Sequence, residues 1–190
     1  MVVARDPAHH DRVKRLALHG MSRDAWKRYG ASGYSHYEVV ECGFKYNMMD
    51  LQAAIGIHQL RRVEANWSRR QAIWNMYMQE FADLPIGLPA IVRSDERHAY
   101  HLFTILIDKD DCGIGRDEFL VQMQDRNIGV GVHYQSIPEH PAYQVRFGWK
   151  SVDFPNACRI GARTASIPLS AALGDQDVDD VIEAVRDIVR

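Results

Sequence analysis

The sequence predicts an α+β fold, in which helices and a small sheet pack as a two-layer α/β sandwich. The 190 residues contain 46% hydrophobic and 25% charged side chains, which is the usage of a globular domain with a core of its own. The second half alternates short β-type runs with helical runs. The last helical run starts near Asp177 and places Val178, Val181 and Val185 on one face.

The first forty residues contain one clear helix. It starts at Asp6-Pro7, runs to about Leu18 and ends at Gly20, because aspartate caps a helix and proline suits its first turn. An apolar strand is expected over residues 1–4, a mobile irregular loop over 21–37 and a short strand over 37–42.

The chain is organised around residues 43–60. From Leu51 to Leu60 we predict a helix that is apolar around most of its circumference, so its own chain or a partner is expected to cover it. Before this helix, Lys45, Tyr46 and Asn47 place a cation, a hydroxyl and an amide in succession. Such donors suit an anionic ligand such as phosphate. On residue types alone, a polar turn leading into a core helix is the favoured alternative.

A long helix over residues 63–84 follows and ends at Pro85. Trp67, Trp74 and Tyr77 recur along it at helical spacing, which indicates packing in the core rather than stacking on a ligand.

From His98 onward the pattern predicts a small α/β unit. Its elements are a strand over residues 100–108, a helix over 116–126, a strand over 128–134, a loop over 136–154, a helix over 155–165, a strand over 166–169 and the final helix. His101 is expected to pack in the core because its neighbours are apolar. Asp108, Asp110 and Asp111 are expected in an exposed turn without a cation, since no loop with ligand spacing follows.

Charge and cysteine usage argue against several classes of protein. The net charge is −2 without a block of like charge, so neither a nucleic-acid surface nor a membrane surface is predicted. No apolar run is long enough to span a membrane, and charged residues from Arg5 onward interrupt any signal peptide. Cys42, Cys112 and Cys158 lack metal-type spacing. They are expected to be buried, reduced thiols in a cytoplasmic protein without a metal site.

Short stretches distributed along the whole chain carry a more specific signal. They are Leu18-His19-Gly20-Met21, residues 43–54, Gln59-Leu60, Arg69-Arg70, Tyr100-His101-Leu102-Phe103, residues 129–134 ending in His133-Tyr134, and Ser166-Ile167-Pro168-Leu169. In this order they resemble the DegT/DnrJ/EryC1/StrS family of sugar aminotransferases, which use pyridoxal phosphate (PLP) and have fold type I. Residues 44–47 and 112–117 are similar to the branch that aminates the 4-keto-pentose of UDP-arabinose for lipid A modification.

The resemblance implies a domain organisation. Residues 91–190 would be the C-terminal small domain of a fold type I PLP aminotransferase, residues 48–90 its long connecting helices, and residues 1–47 the end of the large PLP domain with an interface loop. In the family, the Schiff-base lysine lies shortly before a Gly-Glu-Gly-Gly turn and a strand similar to residues 1–4. The chain is therefore expected to begin just downstream of that lysine, to contain no catalytic residue and to be inactive alone.

The resemblance also implies ligand contacts. Lys45 and Asn47 are expected to bind the phosphate of PLP across a dimer interface. The residues expected to contact the nucleotide-sugar substrate are His133, Tyr134, His19 and Arg23. For His133, a satisfied structural histidine is an equal alternative.

Two functions remain open from the sequence. The first is the C-terminal part of an enzyme that transfers an amino group from glutamate to a 4-keto sugar nucleotide. The second is a non-catalytic module of the same fold, used for dimerisation or for nucleotide-sugar binding. The expected partners are a second copy of the chain in a homodimer or higher oligomer, a nucleotide sugar and a separate N-terminal domain chain.

Overall fold

The computed structural model describes residues 2–21 and 38–189. These residues divide into two compact units, Met1–Arg61 and Arg62–Arg190. The three-part division expected from the family resemblance stays a prediction.

The first unit contains two helices. Helix α1 spans Pro7–Leu16, and the Asp6 carboxylate accepts a hydrogen bond from the Ala8 amide at 2.8 Å. The predicted cap and helix start are therefore confirmed. Helix α2 spans Asp50–Arg61, as the apolar run after residue 50 predicted.

The predicted strands of the first unit are wrong for the described residues. Val2 and Val3 are 68% and 87% exposed, and residues 2–4 pair with no described strand. Without a partner, a short apolar run has no hydrogen bonds that would make it a strand. Val39 makes only an isolated bridge to Met21, and residues 38–42 form no strand. The predicted loop over residues 21–37 lies outside the described residues, except for its first position.

The second unit contains a two-stranded sheet and most of the helices. Strand β1, Phe103–Leu106, pairs antiparallel with β2, Thr164–Ile167, with Phe103 opposite Ile167. The helices are α3 (Val63–Glu80), α4 (Lys109–Cys112), α5 (Arg116–Asp125), α6 (Pro141–Phe147), α7 (Pro155–Arg163) and α8 (Asp175–Ile188). Helices packed with a small sheet agree with the predicted α+β class.

The core lies between this sheet and helices α3, α5 and α8. Phe103 and Ile105 point inward from alternate positions of β1 and are fully buried. Phe119 comes from α5 and Val185 from α8, and both are also fully buried. The predicted inward face of α8 is therefore confirmed. Trp74 is 5% exposed, so its predicted place in the core is confirmed too.

Several predictions for the second unit are wrong. Residues 128–134 form no strand, and only Gly131 pairs, as an isolated bridge to Ser166. His101 is exposed rather than buried, because β1 begins two residues after it. The predicted loop over residues 136–154 contains α6 and two 3-10 turns, Ile137–Glu139 and Ser151–Asp153.

The aspartates after β1 have structural roles. Asp108 caps the short helix α4 by accepting a hydrogen bond from the Asp110 amide at 3.3 Å, and it also forms an ion pair with Arg163. The described residues contain no group of three or more His, Cys, Asp or Glu side chains arranged to hold a metal ion. Cys42, Cys112 and Cys158 are all free, and Cys112 is buried. The predicted burial is wrong for Cys42, which is exposed.

Among the described helices, none is both long enough and apolar enough to cross a membrane.

Candidate functional site

The residues predicted to bind phosphate lie on a short extended segment that is attached to the end of α1. The Phe44 amide donates to the Leu16 carbonyl at 2.7 Å, and the Tyr46 amide donates to the Ala17 carbonyl at 2.8 Å. In return, the His19 amide donates to the Phe44 carbonyl at 2.8 Å. These bonds fix the backbone around Lys45, which is paired with Leu18.

Gly20 and Gly43 allow the segment around Lys45 to lie this close to the end of α1. Gly20 has φ +73°, and a Cβ atom there would lie 1.7 Å from the Glu41 carbonyl oxygen. A Cβ atom on Gly43 would lie 2.3 Å from the Gly20 nitrogen. Any side chain at either position would collide with backbone. The sequence predicts only that Gly20 ends a helix.

The side chains of this segment lie on two sides of it. The rings of Phe44 and Tyr46 stack with centroids 5.0 Å apart and planes 4° from parallel. Because side chains alternate along an extended backbone, Lys45 and Asn47 project from the opposite side. Both are exposed, and neither has an ion pair or side-chain hydrogen bond with a described residue. They therefore present a cation and an amide to solvent from a fixed backbone.

The nearby arginines, in contrast, are paired. Glu41 accepts hydrogen bonds from Arg15 at 2.8 Å and from Arg12 at 3.4 Å. The hydrogen bond from Arg15, together with the positive charges of both arginines, lowers the pKa of Glu41 below its ordinary value. Glu41 therefore stays ionised and balances the arginines, while the positive charge of Lys45 has no ion-pair partner among the described residues.

His19 lies next to the paired residues of this region. Its φ is +57°, and its backbone amide is the one that donates to Phe44. Its side chain is exposed. Arg23, which was predicted to bind the substrate with it, lies outside the described residues.

The second predicted contact pair lies in the other unit. His133 and Tyr134 are joined by a cis peptide bond, and their ring centroids are 4.9 Å apart at 86°. The His133 Nδ1 atom lies 2.9 Å from the Ser166 hydroxyl oxygen. Tyr134 is 71% exposed. The sequence predicts a strand over residues 166–169 and includes them in the family resemblance, but it gives no sign that Ser166 contacts His133.

Two surface grooves formed by described residues are lined by other side chains. One groove of about 490 Å³ lies between α3 and α8, and another of about 590 Å³ is lined by α3 and residues 91–96. Neither is lined by a residue that the sequence assigned to a ligand.

Two of the described residues suit the phosphate group of PLP. The unpaired ammonium of Lys45 and the amide of Asn47 are suitable donors for its phosphate. A lysine that binds PLP covalently must lose its proton readily, which desolvation or a neighbouring cation promotes. The described lysines are all exposed, and they are Lys14, Lys45, Lys109 and Lys150. The described part of the chain therefore offers two donors for the phosphate of PLP, and its four lysines are exposed in the chain by itself.

Comparison with known proteins connects this geometry to one family. A family model described as the DegT/DnrJ/EryC1/StrS aminotransferase family matches residues 1–186. The chain is 44% identical over 191 residues to the spore coat polysaccharide biosynthesis protein SpsC of Bacillus subtilis (strain 168), and the match covers 100% of the chain and 49% of SpsC. With coverages of 49% and 46%, the chain spans about half the length of the curated relatives that it matches.

Solved structures show the same fold. DesV of S. venezuelae matches with a TM-score of 0.83 and 27% identity over 98% of this chain and 45% of that chain. The aminotransferase TlmJ of Streptoalloteichus hindustanus matches with a TM-score of 0.78 and 27% identity, and the match covers 96% of this chain and 45% of the TlmJ chain.

Proposed function

The chain belongs to the DegT/DnrJ/EryC1/StrS aminotransferase family, and on this basis we propose that it is the C-terminal part of a PLP-dependent nucleotide-sugar aminotransferase. The proposed reaction transfers an amino group from glutamate to the keto carbon of a 4-keto sugar nucleotide. The observation that carries the proposal is the family match over residues 1–186. The 4-keto-pentose suggested by residues 44–47 and the cytoplasmic location stay predictions.

Each candidate residue has a proposed role. When bound, PLP supplies the electron sink for amino transfer. The Lys45 ammonium and the Asn47 amide donate hydrogen bonds to its phosphate, and the attractive charge of Lys45 strengthens that contact. His133 and Tyr134 bind and orient the nucleotide sugar, as do His19 and Arg23.

The 190-residue chain alone is proposed to be inactive. The attached lysine of a PLP enzyme also moves a proton between substrate and cofactor, so its position decides whether transfer occurs. The exposed lysines of the described residues lack the desolvated surroundings that this role requires. Activity is proposed to require an N-terminal large domain.

A PLP titration of the chain tests these roles. We expect Lys45→Gln to weaken non-covalent PLP binding by about ten-fold, since a charge-assisted hydrogen bond is lost. Lys150→Gln is the matched control, because Lys150 is also exposed but lies in the other unit. Equal affinity in the two variants would remove Lys45 from the proposed site.

Covalent attachment is tested on the same samples. After borohydride reduction and mass mapping, we expect no lysine to carry a stoichiometric label, and no turnover of glutamate and a UDP-4-keto sugar above a control without protein. A stoichiometric label on one lysine, or measurable turnover, would contradict the inactive-chain proposal.

A further inference from the structure

Ser166 lies on β2 between two neighbouring stretches of backbone. It is opposite Thr104 in the β1–β2 register. On its other side, the Ser166 amide donates to the Gly131 carbonyl at 2.7 Å, and the Gly131 amide donates to the Ser166 carbonyl at 3.1 Å. The residue is only 5% exposed. Its backbone is therefore fixed from both sides, and its hydroxyl has little access to water.

That hydroxyl has one polar partner among the described residues, which is the Nδ1 atom of His133 at 2.9 Å. A buried hydroxyl without a partner is costly, so this contact is favoured for the serine as well as for the histidine. A hydrogen bond at Nδ1 restrains the orientation of the imidazole and leaves Nε2 for a ligand, and the serine hydroxyl serves either tautomer because it can donate or accept.

Two further contacts restrict the imidazole ring. A Cβ atom on Gly131 would lie 3.1 Å from the His133 Cε1 atom, so the ring packs closely over that glycine. The Tyr134 ring meets it edge to face at 4.9 Å. The Nε2 atom is then the ring nitrogen without a partner among the described residues.

We propose that Ser166 is a positioning residue, which holds His133 through Nδ1 so that Nε2 meets a hydroxyl or phosphate of the nucleotide-sugar substrate. This inference rests on the proposed function for the ligand, but the Ser166–His133 contact is independent of it. Ser166 itself touches no substrate and acts through the orientation of the imidazole.

Imidazole nitrogen NMR of the full chain tests the contact without any ligand. The hydrogen bond at Nδ1 affects the separation between the Nδ1 and Nε2 chemical shifts of His133, whichever of the two groups donates. We expect Ser166→Ala to move that separation toward the value of a free histidine, and His101, which is exposed, to stay unchanged as an internal reference. Ser170→Ala is the matched control, since the Ser170 hydroxyl accepts only from the Ala172 amide among the described residues. An unchanged separation in Ser166→Ala would overturn the proposal.

A second substitution separates hydrogen bonding from packing. Ser166→Cys keeps nearly the same shape but forms only a weak hydrogen bond. Behaviour like that of Ser166→Ala supports the proposal, whereas behaviour like that of the wild type means that Ser166 only fills space. Circular dichroism of each variant verifies that the chain is folded.

Titration with UDP connects the contact to ligand binding. We expect Ser166→Ala to weaken UDP binding by about five-fold, which corresponds to one lost hydrogen bond. In a His133→Gln background, Ser166→Ala is expected to have no further effect, because a positioning residue acts only through the residue that it positions. Equal and additive losses in both backgrounds would overturn the proposal. No UDP binding by the wild-type chain would count against the proposed substrate class, while the NMR result still decides the Ser166–His133 contact.

Discussion

Tyr77 shows how a single side chain of α3 connects separate parts of the second unit. It is fully buried, and its ring lies 5.1 Å from that of Phe103 in an edge-on contact. Its hydroxyl donates to the Pro168 carbonyl at 3.0 Å. The sequence predicted the buried ring from helical spacing, but the hydrogen bond joins residues 91 positions apart and has no local signal.

Tyr77→Phe is expected to lower the free energy of unfolding by about 1–2 kcal/mol, because the ring still packs but the Pro168 carbonyl loses its buried donor. Urea denaturation at pH 7 measures this change. Tyr143→Phe is the matched control, since that tyrosine is 41% exposed and should change stability by less than about 0.5 kcal/mol. An equal effect of the two substitutions would contradict the role of the Tyr77 hydroxyl.

The same tyrosine predicts a pH dependence. Burial raises the pKa of Tyr77 well above its ordinary value, so the folded chain keeps the phenol protonated. In the unfolded chain the phenol ionises near about pH 10, so the unfolded state binds fewer protons above that pH and stability falls. Tyr77→Phe should therefore show a shallower loss of stability above about pH 10 than the wild type. Parallel stability curves for the two proteins would disprove this prediction.

At the scale of elements, α2 is a helix whose large apolar side chains are not covered by the described residues. None of its residues is buried, and large apolar side chains are exposed along it, including Leu51 at 71%, Ile55 at 57% and Leu60 at 71%. A helix of 12 residues gains little stability from its own hydrogen bonds and needs packing. We propose that a second copy of the chain covers this surface in a homodimer or higher oligomer.

Leu51→Glu combined with Ile55→Glu is expected to convert that oligomer to a monomer. The two residues are one turn apart on the same face of α2, so two carboxylates there oppose burial. Light scattering and sedimentation measure the mass. Val145→Glu is the control, because Val145 is 88% exposed on α6 and no role in the oligomer is assigned to it. A wild-type chain that is already a monodisperse monomer would rule out this proposal.

At the scale of the whole molecule, the two units differ in how much core they contain. All the residues of the hydrophobic core cluster lie between Ile73 and Val189, within the second unit. In the described part of the first unit, only Gly20 is buried. Burial of apolar surface is the main force that offsets the entropy of ordering a chain, so the two units should differ in independent stability.

We therefore expect residues 62–190, expressed alone, to keep a cooperative thermal transition and the near-ultraviolet circular dichroism of packed aromatic rings. Residues 1–61 alone should lose both signals, although some helical signal from α1 and α2 is expected to remain. The full chain is the reference for each measurement. Loss of the cooperative transition in residues 62–190 would show that the first unit is required to stabilise the core.

The sequence by itself determined helices α1, α2, α3, α5, α7 and α8, the α+β class and the family, but it missed α4 and α6. Helices α3, α5 and α8 follow from the periodicity of apolar residues, and the start of α1 follows from Asp6-Pro7, because these signals depend on residues within a few positions of each other. The family resemblance also came from local stretches, whose order along the chain agrees with the match over residues 1–186.

Only the tertiary structure decided what depends on distant partners. Residues 128–134 have the composition of a strand, but only Gly131 finds a bridging partner there. His101 is exposed because strand pairing begins at Phe103. The contact between His133 and Ser166 joins positions 33 residues apart. Pairing, burial and side-chain contacts of this kind are set by the packing of remote segments, for which no pattern in one stretch of sequence is sufficient.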